Sequence, residues 1–268
     1  MELTILSIKN EEKGKKSLPQ QFKEAIRPDL IARAVLTLQA NKRQPYGASP
    51  NAGKRSSSIV SKRRRKYRGT YGIGQSRTPR KVLTRRGTRM YFVGAFAPQT
   101  VGGRRAHPPK AVKILEKKMN KKEKRKAIRS ALAATIKKDI VKERGHSLPE
   151  TYPFILDNSF ESLNKTKETK AALATLGLKQ ELTRSSKKTI RAGKGKSRGR
   201  KYKKKKGILL VVSKDCSLEK SAKNIPGIDI VKINSLNTEL LAPGTIPGRL
   251  TLFTEAALDK LEKNKLFM

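Results

Sequence analysis

The chain has 268 residues, with 64 Lys+Arg against 21 Asp+Glu and a formal net charge of +43. Self-repulsion on that scale implies a polyanionic partner, and nucleic acid fits because each neutralised phosphate releases counterions. A membrane is the rival polyanion, but no apolar run is long enough to cross a bilayer and residues 1–10 lack a signal-peptide core; the single cysteine, Cys216, excludes an internal disulfide framework and fits a reducing, cytoplasmic setting.

Leu3-Thr-Ile-Leu-Ser-Ile8 is a short apolar, partly β-branched run that predicts a first strand. Leu30, Ile31, Ala34, Val35 and Leu38 recur at helical spacing behind Pro28 and Asp29, a helix start. Pro108-Pro109 predicts a helix over residues 111–119. Asn120 with Glu123 resembles a capping box ahead of a longer one, whose stripe is Ala127, Ile128, Ala131, Leu132, Thr135, Ile136 and Ile140, with Gly145 as its stop. Further along, residues 152–156 read as a strand, residues 166–176 as a helix closed by Gly177, and Ile208-Leu-Leu-Val-Val212 as an unbroken apolar strand. Such unbroken runs suit strands buried on both faces. Residues 229–233 and 250–253 predict two more strands, and Thr254 caps a last helix that turns Leu258 and Leu261 inward. The expected fold is α/β: an open, mainly parallel sheet flanked by helices, Rossmann-like in topology.

Two windows interrupt this pattern. Residues 30–115 hold 21 Lys+Arg and no acid, and residues 182–214 hold 14 and again no acid, together 35 of the 43 net charges. The expected organisation is a discontinuous body, residues 1–40 and 110–268, carrying an extended basic loop at 41–109 and a second at 184–206. A free tail of such composition is disordered. The first loop is internal, however, and keeps Tyr46, Tyr67, Tyr71, Met90, Tyr91, Phe92 and Phe96 among its charges, a composition suited to stacking on exposed bases. Out and back, it makes two arms of about 35 residues, each spanning at most on the order of 100 Å. Its candidate RNA contacts are Arg43, Lys54, Arg55, the cluster Lys62, Arg63, Arg64, Arg65, Lys66, Tyr67 and Arg68, then Arg77, Arg80, Lys81, Arg104, Arg105, His107 and Lys110. In the second loop they are Arg191, Lys194, Lys196, Arg198, Arg200, Lys201 and Lys203. Arginine supplies phosphate forks and planar stacking surfaces, lysine a point charge.

Ile26-Arg-Pro-Asp-Leu-Ile31, Gln39-Ala-Asn-Lys-Arg-Gln-Pro-Tyr-Gly47, Val101-Gly-Gly-Arg-Arg-Ala-His-Pro-Pro-Lys110, Lys194-Gly-Lys-Ser-Arg-Gly-Arg200 and Gly248-Arg-Leu250 resemble the family of protein 4 of the large ribosomal subunit, in its archaeal and eukaryotic form. The likeness runs in order over nearly the whole chain, and the short segment after the last helix favours the archaeal form. The resemblance implies an α/β domain on the subunit surface and a long loop threading ribosomal RNA to the peptide exit tunnel. Its implied roles are early subunit assembly and shaping of the tunnel, without catalysis. Implied partners are large-subunit ribosomal RNA, neighbouring large-subunit proteins and the nascent polypeptide, with no cofactor, no metal, no membrane and no homo-oligomer. The loop's turn is expected within residues 77–97, which makes Arg85, Arg86, Gly87, Thr88 and Arg89 the tunnel-lining candidates.

Sharper motifs fail on spacing. Gly195-Lys-Ser197 lacks the P-loop's first glycine, because Ile190 stands there, and upstream, where the motif needs an apolar strand, the sequence is basic. His107, His146 and Cys216 are too scattered for a metal site. Asp157 and Asp215 follow apolar strands, where an α/β enzyme places acids, but no second clustered acid accompanies either, and turn capping explains them. The alternatives are a DNA-compacting protein, which would coat duplex regardless of sequence, and a nucleic-acid enzyme or chaperone on a doubly wound sheet.

Overall fold

The structure, a computed structural model, describes residues 1–268 apart from Ile59, Tyr67, Arg68 and Thr88. It divides into two units, Met1–Lys42 with Glu116–Met268, and Arg43–Leu115. Along the chain, β1 (Glu2–Leu6) and β2 (Glu12–Ser17) precede α1 (Pro28–Asn41). The second unit contributes β3 (Arg80–Arg86) and β4 (Arg89–Gly94). Next come α2 (Lys121–Ile136), α3 (Lys138–Glu143), β5 (Ile155–Leu156), α4 (Thr166–Leu173) and α5 (Lys179–Ser186). A short ribbon, β6 (Lys188–Ile190) with β7 (Tyr202–Lys204), leads to β8 (Leu209–Val212), α6 (Ser217–Lys223) and β9 (Asp229–Lys232). The chain then forms α7 (Thr238–Leu241), β10 (Thr251–Phe253) and α8 (Glu255–Lys263).

The fold of the first unit is mixed α/β with small sheets. One three-stranded ladder has the order β2-β1-β5, the other β10-β8-β9. A parallel bridge between Leu156 and Thr254 joins β5 to the end of β10. β1 pairs antiparallel with β2, whereas β1–β5, β8–β10 and β8–β9 are parallel. Parallel pairing is thus present, but the sheets are small and mixed, and the one open, mainly parallel sheet expected from the sequence is two short ladders meeting at a single bridge. The polar edge strand β2, Glu-Lys-Gly-Lys-Lys-Ser, has no apolar signal to give it away.

β8 shows why an unbroken apolar run belongs here. Successive side chains of a strand point to opposite faces. Leu210 and Val212 pack with Phe154, Leu173, Leu218 and Ile228, while Leu209 and Val211 pack with Ile31, Val35, Leu132 and Leu258. Helices therefore cover both faces, and each β8 side chain, fully withdrawn from water, contributes roughly 1.5–3 kcal/mol of burial.

Three helical expectations are corrected. Residues 111–119 form no helix, because Val112 and Ile114 are each 84% exposed and there is no apolar face to bury. The Ala127 stripe is helical only to Ile136; the backbone at Lys137 turns extended (φ −73°, ψ 107°) and α3 restarts. Asn120 is the N-cap of α2 without a side-chain cap bond, and Glu123 instead pairs with Arg33 at 2.9 Å. The helix from Thr166 runs on past Leu173 through a π-turn over Ala174–Leu178 and is broken, as expected, at the left-handed Gly177 (φ 80°), beyond which α5 follows at once. Residues 184–186 are consequently helix, and the basic ribbon begins beyond them.

Candidate nucleic-acid interface

Within Arg43–Leu115, β3 and β4 form an antiparallel hairpin pairing Arg80 with Gly94, Val82 with Phe92, Arg85 with Met90 and Arg86 with Arg89. The register slips between Val82 and Thr84, so one extra residue bends the ribbon. Gly87 takes the left-handed conformation (φ 53°) that a tight reversal requires. The hairpin lies inside the window in which the sequence placed the loop's turn. Arg85, Arg86 and Arg89 are exposed beside Gly87, and Arg85 Nε donates to Gly87 O at 3.3 Å; Thr88 lies outside the described residues.

The unit is more ordered than its composition suggests. Ala95 and Ala97 are buried, and Ala95 N–H donates to Pro79 O at 2.8 Å. With no carboxylate anywhere in the unit, no described Lys or Arg of Arg43–Leu115 has an ion-pair partner. Aromatic rings stand in for acids. Arg64 and Arg77 approach the Tyr71 ring at 5.9 and 5.2 Å, Lys54 and Arg104 the Phe96 ring at 6.0 and 5.9 Å, and Arg80 the Phe92 ring at 5.7 Å. Cations over ring faces gain quadrupole attraction and leave much of the guanidinium edge free for phosphate. Arg43, Arg55, Lys62, Arg63, Arg65, Lys66, Arg105, His107 and Lys110 are exposed, and Lys81 is half-buried. Tyr67 and Arg68 fall outside the described residues.

In the ribbon, β6 and β7 pair Lys188 with Lys204 and Ile190 with Tyr202. Arg191 Nε donates to Arg200 O at 3.0 Å, closing a turn that displays Lys194, Lys196, Arg198 and Arg200. Tyr202 carries Lys188 and Lys201 at 6.0 and 5.6 Å, and Lys203 is exposed beside it. Among the described residues, none of 187–205 takes part in an ion pair.

Acids appear at the ribbon's two roots. At one, Glu181 is fully buried: Oε2 accepts from Arg184 Nε at 2.7 Å and from the Ser147 N–H at 3.0 Å, and Oε1 lies 2.7 Å from His146 Nδ1. Burial opposes Glu181's ionisation, but the bonds from Arg184 and His146 outweigh it and hold the carboxyl below its ordinary range. Burial also lowers His146 more than Glu181 raises it, so the imidazole is neutral and donates its Nδ1 hydrogen to the carboxylate. Arg184 further donates to Lys206 O at 2.8 Å, tying the two ribbon ends together.

At the other root, Arg249 is 1% exposed and donates to Gly207 O at 2.9 Å, Leu240 O at 3.0 Å and Asp229 Oδ2 at 2.6 Å. Lys206 Nζ shares the same Asp229 oxygen at 3.0 Å. Burial opposes charge on Asp229, yet Arg249 and Lys206 keep its carboxyl below the ordinary range. Gly227 (φ 82°) closes the junction, since a Cβ there would stand 2.4 Å from Ser185 Cβ. Arg144, next to this root, is pushed down to about 10 by burial and by Arg249 and Arg184. Of these root residues only Arg184 and Lys206 figured in the charge windows, as the ends of the second loop; for the rest the one visible clue was an arginine between Gly248 and Leu250, just ahead of a buried strand.

The position where a doubly wound enzyme binds substrate is here an open hollow of about 810 Å³ lined by Glu161, Lys214, Asp215 and Lys220. β9 and β10 flank β8 on opposite sides, which makes its carboxyl end a crossover point. There Glu161 Oε1 accepts from the Ser213 N–H at 2.9 Å and the Thr254 hydroxyl at 2.7 Å, and Oε2 from the Ser213 hydroxyl at 2.9 Å. The Ser213 and Thr254 donors at this end are spent on that carboxylate. Asp157 bonds Lys13 at 2.7 Å and Asp215 pairs with Lys232.

Positive charge that finds no acid inside a molecule is available to a polyanion outside it, and rings set beneath that charge add stacking faces; the class is nucleic-acid-binding. Comparison with known proteins narrows it. The Ribosomal protein L4/L1 family matches residues 16–264. The large ribosomal subunit protein uL4 of Nanoarchaeum equitans is 50% identical over 268 residues, covering 100% of both chains. Those of Methanococcoides burtonii and Archaeoglobus fulgidus are 45% identical, covering 96% of each chain, and 43% identical, covering 97% of this chain and 98% of the relative. The chain belongs to the Ribosomal protein L4/L1 family.

Proposed function

We propose that the chain is a structural, RNA-binding constituent of the large ribosomal subunit, working in cytoplasmic ribosomes, and not an enzyme. The observation that carries this reading is the unspent charge: within residues 43–115 and 187–205, both free of acids, the described cations meet rings, carbonyls or solvent instead of carboxylates. The two ladders of the body act as one open, doubly wound platform that presents the basic segments to large-subunit ribosomal RNA and to neighbouring proteins. The β3–β4 turn, with Arg85, Arg86, Gly87 and Arg89, faces the path of the nascent polypeptide in the exit tunnel. Subunit assembly follows from the same contacts, since a protein that bridges distant RNA segments stabilises only their folded arrangement. No cofactor, membrane or second copy of the chain is needed.

Footprinting on folded large-subunit ribosomal RNA and on duplex DNA tests the reading. The expected outcome is discrete protected RNA sites and weak, sequence-independent coverage of DNA. Equal, uniform coverage of both would favour a DNA-compacting role instead.

A further inference from the structure

The hairpin register sets Arg80, Val82, Met90 and Phe92 on one face of the ribbon. That face floors a cavity of about 360 Å³ walled by Ser61, Gly69, Thr70, Ile73, Gln75 and Thr78. From this slot we infer a binding site for a single unstacked nucleobase of RNA, a deepening that rests on the RNA-binding reading above.

The slot suits a flat, edge-polar ligand. Phe92 is 38% exposed with the Arg80 guanidinium 5.7 Å from its centroid, and Arg80 is held by Ser76 Oγ at 3.1 Å. A ring and a fixed planar cation together make a stacking platform for any base. Val82 and Ile73 are 53% exposed each, apolar surface that a base would cover. The Gln75 amide, part of the cavity wall, brings a donor and an acceptor to the rim for a base edge.

Charge decides between a nucleobase and an apolar peptide side chain as occupant. Ser61 O accepts from the Thr70 hydroxyl at 2.7 Å and its N–H at 3.3 Å, which brings the two ends of the intervening loop together. That loop carries Lys62-Arg-Arg-Arg-Lys66, and its two ends, Ser61 and Gly69–Thr70, are walls of the slot. A base seated on Phe92 thus has its own phosphates beside five cations, and no acid lies anywhere in the unit to repel them.

The test uses the full-length protein and a short mixed-sequence single-stranded RNA carrying one 2-aminopurine, beside the same strand made abasic at that position. The intact strand should bind about tenfold more tightly, with 2-aminopurine fluorescence quenched and the same salt slope as the abasic strand. Phe92→Leu, which keeps an apolar side chain but removes the ring, should erase both the preference and the quenching while leaving that slope unchanged. Equal affinity for the two strands overturns the slot, and this comparison needs no variant to fold. Preference and quenching that persist in a folded Phe92→Leu protein overturn it as well. Failure of both strands to bind in a salt-dependent way overturns the RNA-binding reading itself.

Discussion

Truncating Arg249 tests whether the second basic segment is held by a buried charge. The side chain serves three carbonyls, Gly207, Leu240 and Ile208, and the Asp229 carboxylate. Removing one partner of a buried ion pair costs about 3–5 kcal/mol, most of it for the groups left unpaired. Asp229 keeps Lys206 and its side chain is 30% exposed, so water relieves part of that loss. Arg249→Ala should therefore destabilise the RNA-free protein by about 3 kcal/mol. At roughly 2–4 °C per kcal/mol for a folded unit of this size, the midpoint should fall by about 6–12 °C in a thermal melt followed by circular dichroism. Arg249→Lys restores a charge toward Asp229 but cannot fork to carbonyls lying in different directions, so it should fall between the two. A loss under about 1 kcal/mol for Arg249→Ala would mean that the carbonyls find water or one another, and the root would not depend on this charge.

Replacing Arg43–Leu115 by a short linker should leave a folded body, because Asn41 Oδ1 already accepts from Lys117 N–H at 2.9 Å where the chain leaves and returns. RNA binding by that body should lose about one unit of salt slope per lost phosphate contact, and an unchanged slope would show that the segment carries none. Stability should fall as pH drops below the ordinary imidazole value of 6.5: burial keeps His146 neutral in the folded chain while the unfolded chain takes up the proton. Glu181 acts in the same direction at lower pH, its contribution being lost as pH falls through its depressed folded value, and urea melts of His146→Gln should show a flatter slope from pH 7 to pH 5. Arg85→Glu with Arg86→Glu should permit subunit assembly but alter transit of charged nascent segments, and a photo-cross-linker at residue 86 should capture stalled peptide. Capture of RNA alone from every position in 77–97 would remove the turn from the tunnel wall.

The sequence was most legible where burial and periodicity coincide. β8, α1 and α8 follow their apolar spacing because each has a core waiting on the expected face. The helix expected over residues 111–119 failed for the opposite reason: Val112 and Ile114 find nothing to pack against, and composition cannot report a missing partner. β2 was invisible because an edge strand facing water needs no apolar face, and its lysines are the usual guard against edge pairing. For the candidate site, the charge windows located the cations but not what orders them. Pairs such as Arg104 with Phe96 or Arg77 with Tyr71 join residues several positions apart, through a backbone path that propensity does not fix. The root residues were harder still. Glu181, Asp229 and Arg249 lie in stretches of balanced charge, and only burial distinguishes them from ordinary surface ions.

The placement of acids explains how so basic a chain can contain a folded body. Carboxylates are absent from the two windows and concentrated in the body, where they meet arginine and lysine at defined points: Glu24 with Arg129, Asp157 with Lys13, Glu181 with Arg184, Asp229 with Arg249. The body is close to charge-balanced and gains its stability from two apolar cores, with little net repulsion to overcome. Repulsion is confined to segments that contribute little to those cores, and screening limits its reach to on the order of 10 Å. Moving even a few acids into residues 43–115 would relieve that repulsion, but each would occupy a cation now free for phosphate and would repel the RNA as well. Glu181 and Asp229 stand at the boundary, close enough to hold the ribbon's ends through Arg184 and Lys206 and outside the stretch whose charge must stay open.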